Sequence, residues 1–468
     1  MTRTLLFSLA AGVLATSAFA APAQVAAPPR IDPALHDRAL ETLKRGIAFN
    51  TSAGAGNTVA YAEYLKGLLL AGGYKADEIV IEPMKGTAFL IARYPGTDPT
   101  RKPIVISGHM DVVAANPADW SRDPFTPVVE GGYVYGRGAE DNKFDVSVVV
   151  TTLAHLRSTG WKPGRGVILA LSGDEETTMD TTAVLAQRLK DAELVLNDDG
   201  GGGALAPDGT PVAYGIQGAE KTYADFQLTV TDPGGHSSRP TPTNAIYRLA
   251  KALDRVAVYR FPAMQNEITK GAALAEAATA PAPIADALKR FAANPADQGA
   301  IETLSADPNY LPMLRTTCVA TMISGGHATN ALPQRAGANI NCRIFPGTSS
   351  QSVRETLVQQ IADPSVAVTR AADGSVDSPA SPLRADVLAA ITKAVHARYP
   401  GLTVIPSQSS GATDSMYFRN QGIPSYGVSG IFQKPGESFA HGLNEKAPLA
   451  TLDGDLLHWD MILRDLAK

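Results

Sequence analysis

Six acidic and histidine residues are the side chains of this sequence best suited to chemistry. Nearly all of them follow an apolar, strand-like run and stand beside glycine or polar residues, which is where α/β sheets present their active-site loops. Imidazole and carboxylate groups are ligands of Zn²⁺, and a carboxylate outside the ligand set can act as a base. The set predicts a hydrolytic centre with two zinc ions, and its members are His109, Asp141, Glu175, Glu176, Asp199 and His441.

The first two of these residues along the chain, His109 and Asp141, belong to the motifs GHMDVV and GRGAEDNK. In GHMDVV a strand ends at Gly108, and His109 and Asp111 follow two residues apart. Such residues point the same way on an extended backbone, so Asp111 can orient the imidazole of His109. In GRGAEDNK, Asp141 stands just before a helix, where its carboxylate can bridge two cations. A loop histidine and a plain helix cap are the simpler interpretations of each motif taken alone.

Two later strand ends carry adjacent carboxylates. The strand GVILALSG runs into Asp174-Glu175-Glu176, and such a cluster is unfavourable unless cations neutralise it. One carboxylate can then bind metal while its neighbour takes the proton of a bound water, although a solvated acidic turn also fits. The strand ELVLN ends in Asp198-Asp199 before a run of glycines, and one of the two aspartates is expected to be a ligand.

The last of the six residues comes close to the C-terminus. FAHGLNEKA contains His441, with Glu445 four residues later. Glu445 can face His441 if a helix has begun there. A single late histidine is usually structural, so the other motifs give this one its weight.

The elements around the motifs predict an α/β catalytic domain interrupted by an insertion. Strands alternate with helices at 33–43, 59–71, 146–156 and 182–189, which indicates a mostly parallel sheet flanked by helices. This first part spans 34–218. From 219 to 375 the order resembles β-α-β-β-α-β with an enlarged helical middle, which predicts an inserted α+β, ferredoxin-like lid or dimerisation domain. The catalytic domain resumes over 376–468, with helices at 383–398 and 449–466.

The N-terminus predicts export. Residues 1–20 read as a signal peptide, with Arg3, an apolar stretch at 5–15 and the cleavage site Ala18-Phe19-Ala20. A membrane anchor is the alternative, but the stretch is shorter than the roughly 20 residues that span a bilayer. We therefore expect a periplasmic or secreted protein with a Pro/Ala-rich linker at 21–33 and no membrane span.

Charge and cysteine content argue against nucleic-acid binding and against a structural zinc site. After cleavage 40 basic residues stand against 46 acidic ones, with no basic run that follows phosphates, so nucleic acid is not an expected partner. Cys318 and Cys342 are the only cysteines and lack the spacing of a structural zinc site. They fall in consecutive strand-like runs, and in an exported protein they either form one bridge or stay as two buried thiols.

In their order along the chain, the motifs resemble those of the co-catalytic zinc exopeptidases and aminoacylases. That family includes carboxypeptidase G, aminoacylase-1, carnosinase-type dipeptidases and succinyl-diaminopimelate desuccinylase. The resemblance covers the chain from about residue 35. Besides the acid and glycine run after ELVLN, the matching segments are GHMDVV, GRGAEDNK, SGDEE, GGHSSRP, NALPQ with a later CRIFPG, SGATDS and AHGLNE.

The resemblance implies two Zn²⁺ ions per subunit, although Co²⁺ or Mn²⁺ suit the same ligands. The implied ligands are His109 and Asp199 for one ion, Glu176 and His441 for the other, and Asp141 for both. Glu175 is then the general base, and Asp111 supports His109. Asp199 is preferred to Asp198 because the family's ligand commonly stands directly before the glycines.

The resemblance also implies a homodimer through the inserted domain. His236 would reach the neighbouring subunit's site and stabilise the oxyanion. Asn330 and Arg343 match residues that bind the substrate carbonyl or carboxylate, and the planar fork of arginine suits a carboxylate. Gly411 and Thr413 match the loop that frames the substrate. The insert between roughly 258 and 312 is longer than the lid of the simplest members.

The predicted function is an exported metal-dependent carboxypeptidase or dipeptidase that hydrolyses short peptides. The alternative is an N-acyl-amino-acid amidohydrolase, which uses the same centre on a different acyl group. A non-catalytic binding protein of this fold would lack the base or a ligand, yet all are present. The sequence has no GxSxG motif to support a serine hydrolase.

Overall fold

The computed structural model describes residues 31–372 and 374–468. The predicted signal peptide and most of the predicted linker fall outside the described residues. The helices of the described residues are α1 (Pro33–Ile47), α2 (Thr58–Ala71), α3 (Lys143–Ser158), α4 (Asp180–Arg188), α5 (Ala245–Val258), α6 (Glu267–Glu276), α7 (Ala282–Ala293), α8 (Gln298–Ser305), α9 (Leu311–Leu314), α10 (Ser350–Ile361), α11 (Ala385–Arg398), α12 (Ser415–Asn420) and α13 (Leu452–Leu466). None of these helices is long and apolar enough to cross a bilayer.

The strands form one large sheet and three smaller ones. In chain order they are β1 (Ile79–Met84), β2 (Thr87–Tyr94), β3 (Ile104–His109), β4 (Val128–Glu130), β5 (Tyr133–Tyr135), β6 (Val167–Ser172), β7 (Leu194–Asn197), β8 (Gly202–Leu205), β9 (Pro211–Glu220), β10 (Thr222–Thr231), β11 (Gly235–His236), β12 (Thr317–Gly325), β13 (Ala331–Leu332), β14 (Arg335–Ile344), β15 (Val366–Arg370), β16 (Val404–Ser409), β17 (Ser425–Gly427), β18 (Phe432–Gln433) and β19 (Lys446–Pro448).

The large sheet confirms the predicted α/β architecture. Its ten strands run in the order β1-β2-β6-β3-β7-β17-β9-β8-β18, with β16 paired to β9. At its centre β3 is parallel to both β6 and β7, and β17 is parallel to β7. The antiparallel pairs lie to either side of this centre, at β1 with β2, β2 with β6, β17 with β9 and β8 with β9. The sheet is therefore mixed, with a parallel core.

Burial on both faces explains why the central strands read as continuous apolar runs. Every residue of β3, β6 and β7 is buried, as expected for parallel strands covered by helices on both sides. Helices α1, α2, α3, α11 and α13 pack on one face, and α4 and α12 on the other. At their carboxyl ends the three strands continue into loops. His109 is the last residue of β3, and the two acidic runs follow β6 and β7.

Several helices begin elsewhere than the apolar spacing predicts, and α3, α4 and α13 show why. Helix α3 begins at Lys143 instead of 146, and α4 begins at Asp180 instead of 182. Their first turns carry polar residues, which apolar periodicity does not detect. Helix α13 begins at Leu452 instead of 449, because a short 3₁₀ turn precedes it.

A second, antiparallel sheet has the order β12-β14-β10-β15 and carries α5 and α10 on one face. Its elements follow the chain as β10-α5-β12-β14-α10-β15, and α6 to α9 lie between α5 and β12. Cys318 on β12 is opposite Cys342 on β14, and a disulfide joins them. Of the two alternatives for the cysteines, the structure forms the bridge.

Candidate metal centre

The five predicted ligands come together at the carboxyl ends of β3, β6 and β7, where the segment before α3 carries Asp141 and the segment between β18 and β19 carries His441. Asp141 lies between two imidazoles, with Oδ1 2.9 Å from His109 Nε2 and Oδ2 3.2 Å from His441 Nε2. His441 Nε2 is also 3.0 Å from Glu176 Oε1. Asp199 Oδ2 lies 3.8 Å from His109 Nε2. The two oxygens of Asp141 therefore face the two halves of the group, the arrangement expected of a bridging ligand.

This donor set fits metal ions. One ligand atom from each of His109, Asp141 and Glu176 lies within 4.8 Å of the others. Burial and the charge of Asp141 raise the pKa of Asp199 to about 8, because negative charge is crowded here without a cation. Mixed imidazole and carboxylate ligands suit zinc best among common metals, and they also accept cobalt or manganese.

The two aspartates after β7 take different positions. Asp198 is fully buried and packs against Gly108. A Cβ atom on residue 108 would lie 2.1 Å from Asp198 Oδ1, so this packing requires glycine at that position. The Asp199 side chain is 26% exposed and faces His109. The structure thus brings Asp199, and not Asp198, to the other ligands.

Asp111 holds the acidic loop as well as the imidazole. Its Oδ1 and Oδ2 accept hydrogen bonds from the backbone N–H groups of Glu175 and Glu176, each at 3.1 Å. The backbone carbonyl oxygen of Asp111 lies within hydrogen-bond distance of His109 Nδ1, at 3.0 Å, and the carboxylate Oδ1 lies 3.6 Å from the same nitrogen. The sequence motif predicted only the contact with His109. One buried carboxylate therefore positions a ligand loop and the residue expected to act as base.

We expect Asp111→Asn to weaken metal binding and turnover about 10- to 100-fold, the usual effect of losing an outer partner of a metal site. An amide has one acceptor oxygen where the carboxylate has two, so it cannot accept from both backbone N–H groups. Zinc affinity, measured by competition with a chelator, checks the effect. The melting temperature of the metal-free variant should stay close to that of the metal-free parent, and an equal loss of stability would argue for a purely structural role.

Glu175 has the surroundings of a proton-transferring residue. It is half-buried, lies three residues after the end of β6 and immediately precedes the candidate ligand Glu176. Burial raises the pKa of Glu175 well above its usual value, and the charge of Asp199 adds to this increase, although His109 opposes it. A carboxylate with a raised pKa can accept and return a proton near neutral pH.

Glu445 has a role that sequence reasoning missed. His441 has a positive φ of 62°, so no helix begins there, and the expected contact between Glu445 and His441 is wrong. Glu445 is instead buried and accepts hydrogen bonds from three backbone N–H groups of the GRGAEDNK segment, including that of Asp141 at 3.1 Å. Arg137 pairs with Glu445 at 2.5 Å and donates to the carbonyl oxygen of His441 at 3.4 Å. The pair joins the two loops that carry the bridging aspartate and the late histidine.

Arg343 lies against the loop predicted to frame the substrate. Its Nη1 donates to the carbonyl oxygen of Ser410 at 2.8 Å, and its guanidinium lies 4.8 Å from the ring centroid of Tyr223. The N–H of the next residue, Gly411, donates to Ser409 Oγ at 2.9 Å. The structure therefore brings Arg343 and Gly411 together.

Thr413 lies in the same loop, two residues after Gly411. It is buried, and its hydroxyl donates to Glu220 Oε2 at 3.0 Å and accepts from the Ser415 backbone N–H at 3.2 Å. Next to it, Asp414 accepts a hydrogen bond from Ser172 Oγ at 2.7 Å. These bonds anchor the loop to the end of β6, so the Thr413 hydroxyl supports the loop from behind.

His236 is exposed on β11, which pairs with β13 in a two-stranded ribbon, and Asn330 is exposed directly before β13. His236 Nδ1 accepts a hydrogen bond from the Ser238 backbone N–H at 3.1 Å, and the Ser237 N–H donates to the Asn330 carbonyl at 3.0 Å. Among the residues that the structure describes, no hydrogen bond or ion pair joins this ribbon to the five ligands.

A parallel-cored sheet with imidazole and carboxylate groups gathered at its carboxyl edge is an arrangement typical of a metal-dependent hydrolase. The sequence pattern of Peptidase family M20/M25/M40 matches residues 105–459. The chain belongs to this family.

Individual relatives and solved structures agree with this assignment. The chain is 29% identical to N-fatty-acyl-amino acid synthase/hydrolase PM20D1 of Mus musculus, over 87% of this chain and 83% of that protein. It is 27% identical to probable carboxypeptidase S-like 2 of Dictyostelium discoideum, over 71% of this chain and 65% of the relative. The crystal structure of the M20 family metallo-carboxypeptidase Sso-CP2 from Sulfolobus solfataricus superposes with a TM-score of 0.69 at 21% identity, and it covers 92% of this chain and 99% of that one. At this level of identity, the superposition shows that the two proteins share a fold.

Proposed function

We propose that the protein is an exported carboxypeptidase or dipeptidase that hydrolyses the amide bonds of short peptides at a centre of two zinc ions. The observation that carries this proposal is the position of Asp141, whose two oxygens face His109 and His441 at 2.9 and 3.2 Å. His109 and Asp199 would hold one ion, Glu176 and His441 the other, and Asp141 both. When bound, the ions lower the pKa of water and polarise the substrate carbonyl.

The residues of the chain then perform the proton transfers. Glu175 takes a proton from the attacking water, whose oxygen bonds to the carbonyl carbon, and returns that proton to the leaving nitrogen as the C–N bond breaks. Asp111 keeps the backbone of Glu175 in place throughout. Arg343, beside the Gly411 loop, would bind the free carboxylate of the substrate with its planar fork.

A second candidate is hydrolysis of N-acyl amino acids. The mouse relative named as an N-fatty-acyl-amino acid synthase/hydrolase aligns with 87% of this chain, a larger share than the carboxypeptidase-like relative does. Both reactions cleave an amide whose nitrogen belongs to an amino acid. The same five ligands and base serve either acyl group.

A substrate panel on metal-quantified protein separates the two candidates. N-blocked and free dipeptides test the peptidase, and N-acetyl and N-fatty-acyl derivatives of the same C-terminal amino acids test the amidohydrolase. Cleavage of the peptides supports the first proposal. Cleavage of acyl amino acids alone would replace it with the second, and failure on every member would reject both.

We also propose that residues 219–375 form a lid domain through which two copies dimerise. Strand β12 lies at one end of its sheet, and an unpaired strand edge is a template for pairing with another chain. Met322 and Ile323 on this strand are 71% and 70% exposed, and Tyr247 on α5 is 57% exposed. A second copy on this edge would cover these apolar side chains, and the dimer would bring His236 of one subunit towards the centre of the other.

We expect Ile323→Asp to convert the dimer into a monomer, because a buried carboxylate without a partner opposes association. Light scattering after gel filtration measures the molar mass. Val212→Asp is the matched control, since Val212 is 56% exposed and lies on β9 of the large sheet. Dimers that survive Ile323→Asp would exclude this edge.

Mixed dimers test the shared site directly. His236→Ala and Glu175→Gln should each be inactive as homodimers. In a random equal mixture about half of the dimers contain one copy of each variant, and each such dimer has one complete site out of two, so about a quarter of the parental activity should return. No recovery in verified mixed dimers would place His236 outside the partner's site.

A further inference from the structure

A cavity of about 440 Å³ lies in the layer of the second sheet, and we call it the β12 cavity. It is formed by the end of α5, the segment that follows α5, α10 and the start of β12. Its walls are mainly apolar, with Leu253, Val256, Phe261 and Leu357 among them. Its volume is in the range of small-molecule binding sites, roughly 300–1,000 Å³. None of the five candidate metal ligands lines it.

Two arginines line the same cavity, and they make it unlike an ordinary packing defect. Arg315 is 8% exposed. Its Nη1 and Nη2 donate to the Phe261 carbonyl and Ser305 Oγ at 3.2 and 3.1 Å, but its buried Nε has no hydrogen-bond partner. Arg260 donates only to carbonyl oxygens of its own segment. Within 31–372 and 374–468, no carboxylate forms an ion pair with either arginine.

A buried cation without a counter-ion is costly, and the protein interior normally supplies a partner. Burial and the charge of Arg260, which is itself exposed, lower the pKa of Arg315, which means that the buried guanidinium of Arg315 meets a second positive charge instead of a negative one. A bound anion would remove this repulsion and satisfy the free N–H of Arg315. The apolar walls next to the arginines indicate that the rest of the ligand is a hydrocarbon.

We propose that the β12 cavity binds an amphipathic monocarboxylate of the fatty-acid class. The carboxylate would lie between Arg315 and Arg260, where guanidinium groups bind it through charge-assisted hydrogen bonds. The alkyl chain would lie among the apolar side chains of α5 and α10. The site is separate from the metal centre and does not depend on the proposed substrate.

Calorimetric titration of the full, metal-loaded protein with decanoate tests the proposal. We expect one decanoate per chain at this site, with decanol and acetate at least about tenfold weaker, because the first lacks the charge and the second the chain. Arg315→Gln should weaken decanoate binding about tenfold or more. Leu253→Trp should weaken it by filling the cavity while keeping both arginines, and it covers the case in which Arg315→Gln fails to fold.

Arg290→Gln is the matched control, because Arg290 lies on the surface of α7 in a pair with Asp286, and it should bind decanoate like the parent. Decanoate binding that survives both cavity variants but disappears in Glu176→Gln would assign the carboxylate to the metal centre and overturn the proposal. Equal affinity for decanol and decanoate would also overturn it, as would no binding at all.

Discussion

Glu175→Gln should lower kcat by about 10² to 10⁴-fold, the usual contribution of a general base, and leave the bound metal unchanged. Glutamine has nearly the shape of glutamate but cannot take a proton from water. The backbone N–H of residue 175 still donates to Asp111, so the acidic loop keeps its position. The measurements are kcat on the best substrate of the panel and metal content by elemental analysis of the same sample.

The surroundings of Glu175 make the expected loss specific. Its pKa is raised mainly by burial, and an exposed carboxylate has no such advantage in accepting a proton near neutral pH. Glu82→Gln is a suitable control, since Glu82 pairs with Arg188 on the surface at 2.7 Å and its loss should leave kcat unchanged. A Glu175→Gln enzyme that keeps parental turnover would remove Glu175 from the role of base. Loss of metal along with turnover would make it a ligand.

The fold followed from the sequence wherever burial leaves a simple pattern. β3, β6 and β7 are buried on both faces, so they appear in the sequence as apolar runs with clear ends, and the acidic residues after them could be placed at one edge of a sheet. The start of α4 could not be placed this way, because Asp180 and Thr181 open it with polar side chains. The pairing of β16 with β9 joins segments about 190 residues apart, and no local pattern encodes it.

The grouping of the candidate ligands was also predictable, because imidazoles and carboxylates that follow neighbouring parallel strands meet at one edge of the sheet. The residues that hold the loops of the site in place were not predictable. Glu445 was expected beside His441, but it accepts from the backbone of the Asp141 loop, a contact between residues 304 apart. Thr413 was predicted as part of the loop that frames the substrate, and the hydrogen bond of its hydroxyl to buried Glu220 was not expected. Such contacts depend on how distant loops meet, and the type of each residue does not reveal them.

Asp141→Asn should cause the largest loss of metal among single substitutions at the centre. The carboxylate is the one group that contacts both halves, through Oδ1 to His109 and Oδ2 to His441. An amide offers one oxygen and one NH₂ group, and the NH₂ group cannot bind a cation. We expect at least one metal equivalent to be lost and kcat/KM to fall roughly a thousandfold, since metal ions contribute several kcal/mol of transition-state stabilisation and about 1.4 kcal/mol corresponds to tenfold.

The geometry of Asp141 also defines what would contradict its bridging role. Asp465→Asn is the control, because Asp465 pairs with Lys393 at the surface at 2.8 Å and should keep full metal content. If Asp141→Asn retains two equivalents of metal and loses only turnover, Asp141 acts on the substrate and not on the ions. If it loses both ions and adding zinc in excess restores turnover, the carboxylate sets metal affinity alone. A bridge predicts that excess zinc restores metal content but not turnover, because the two ions are no longer held at a fixed separation.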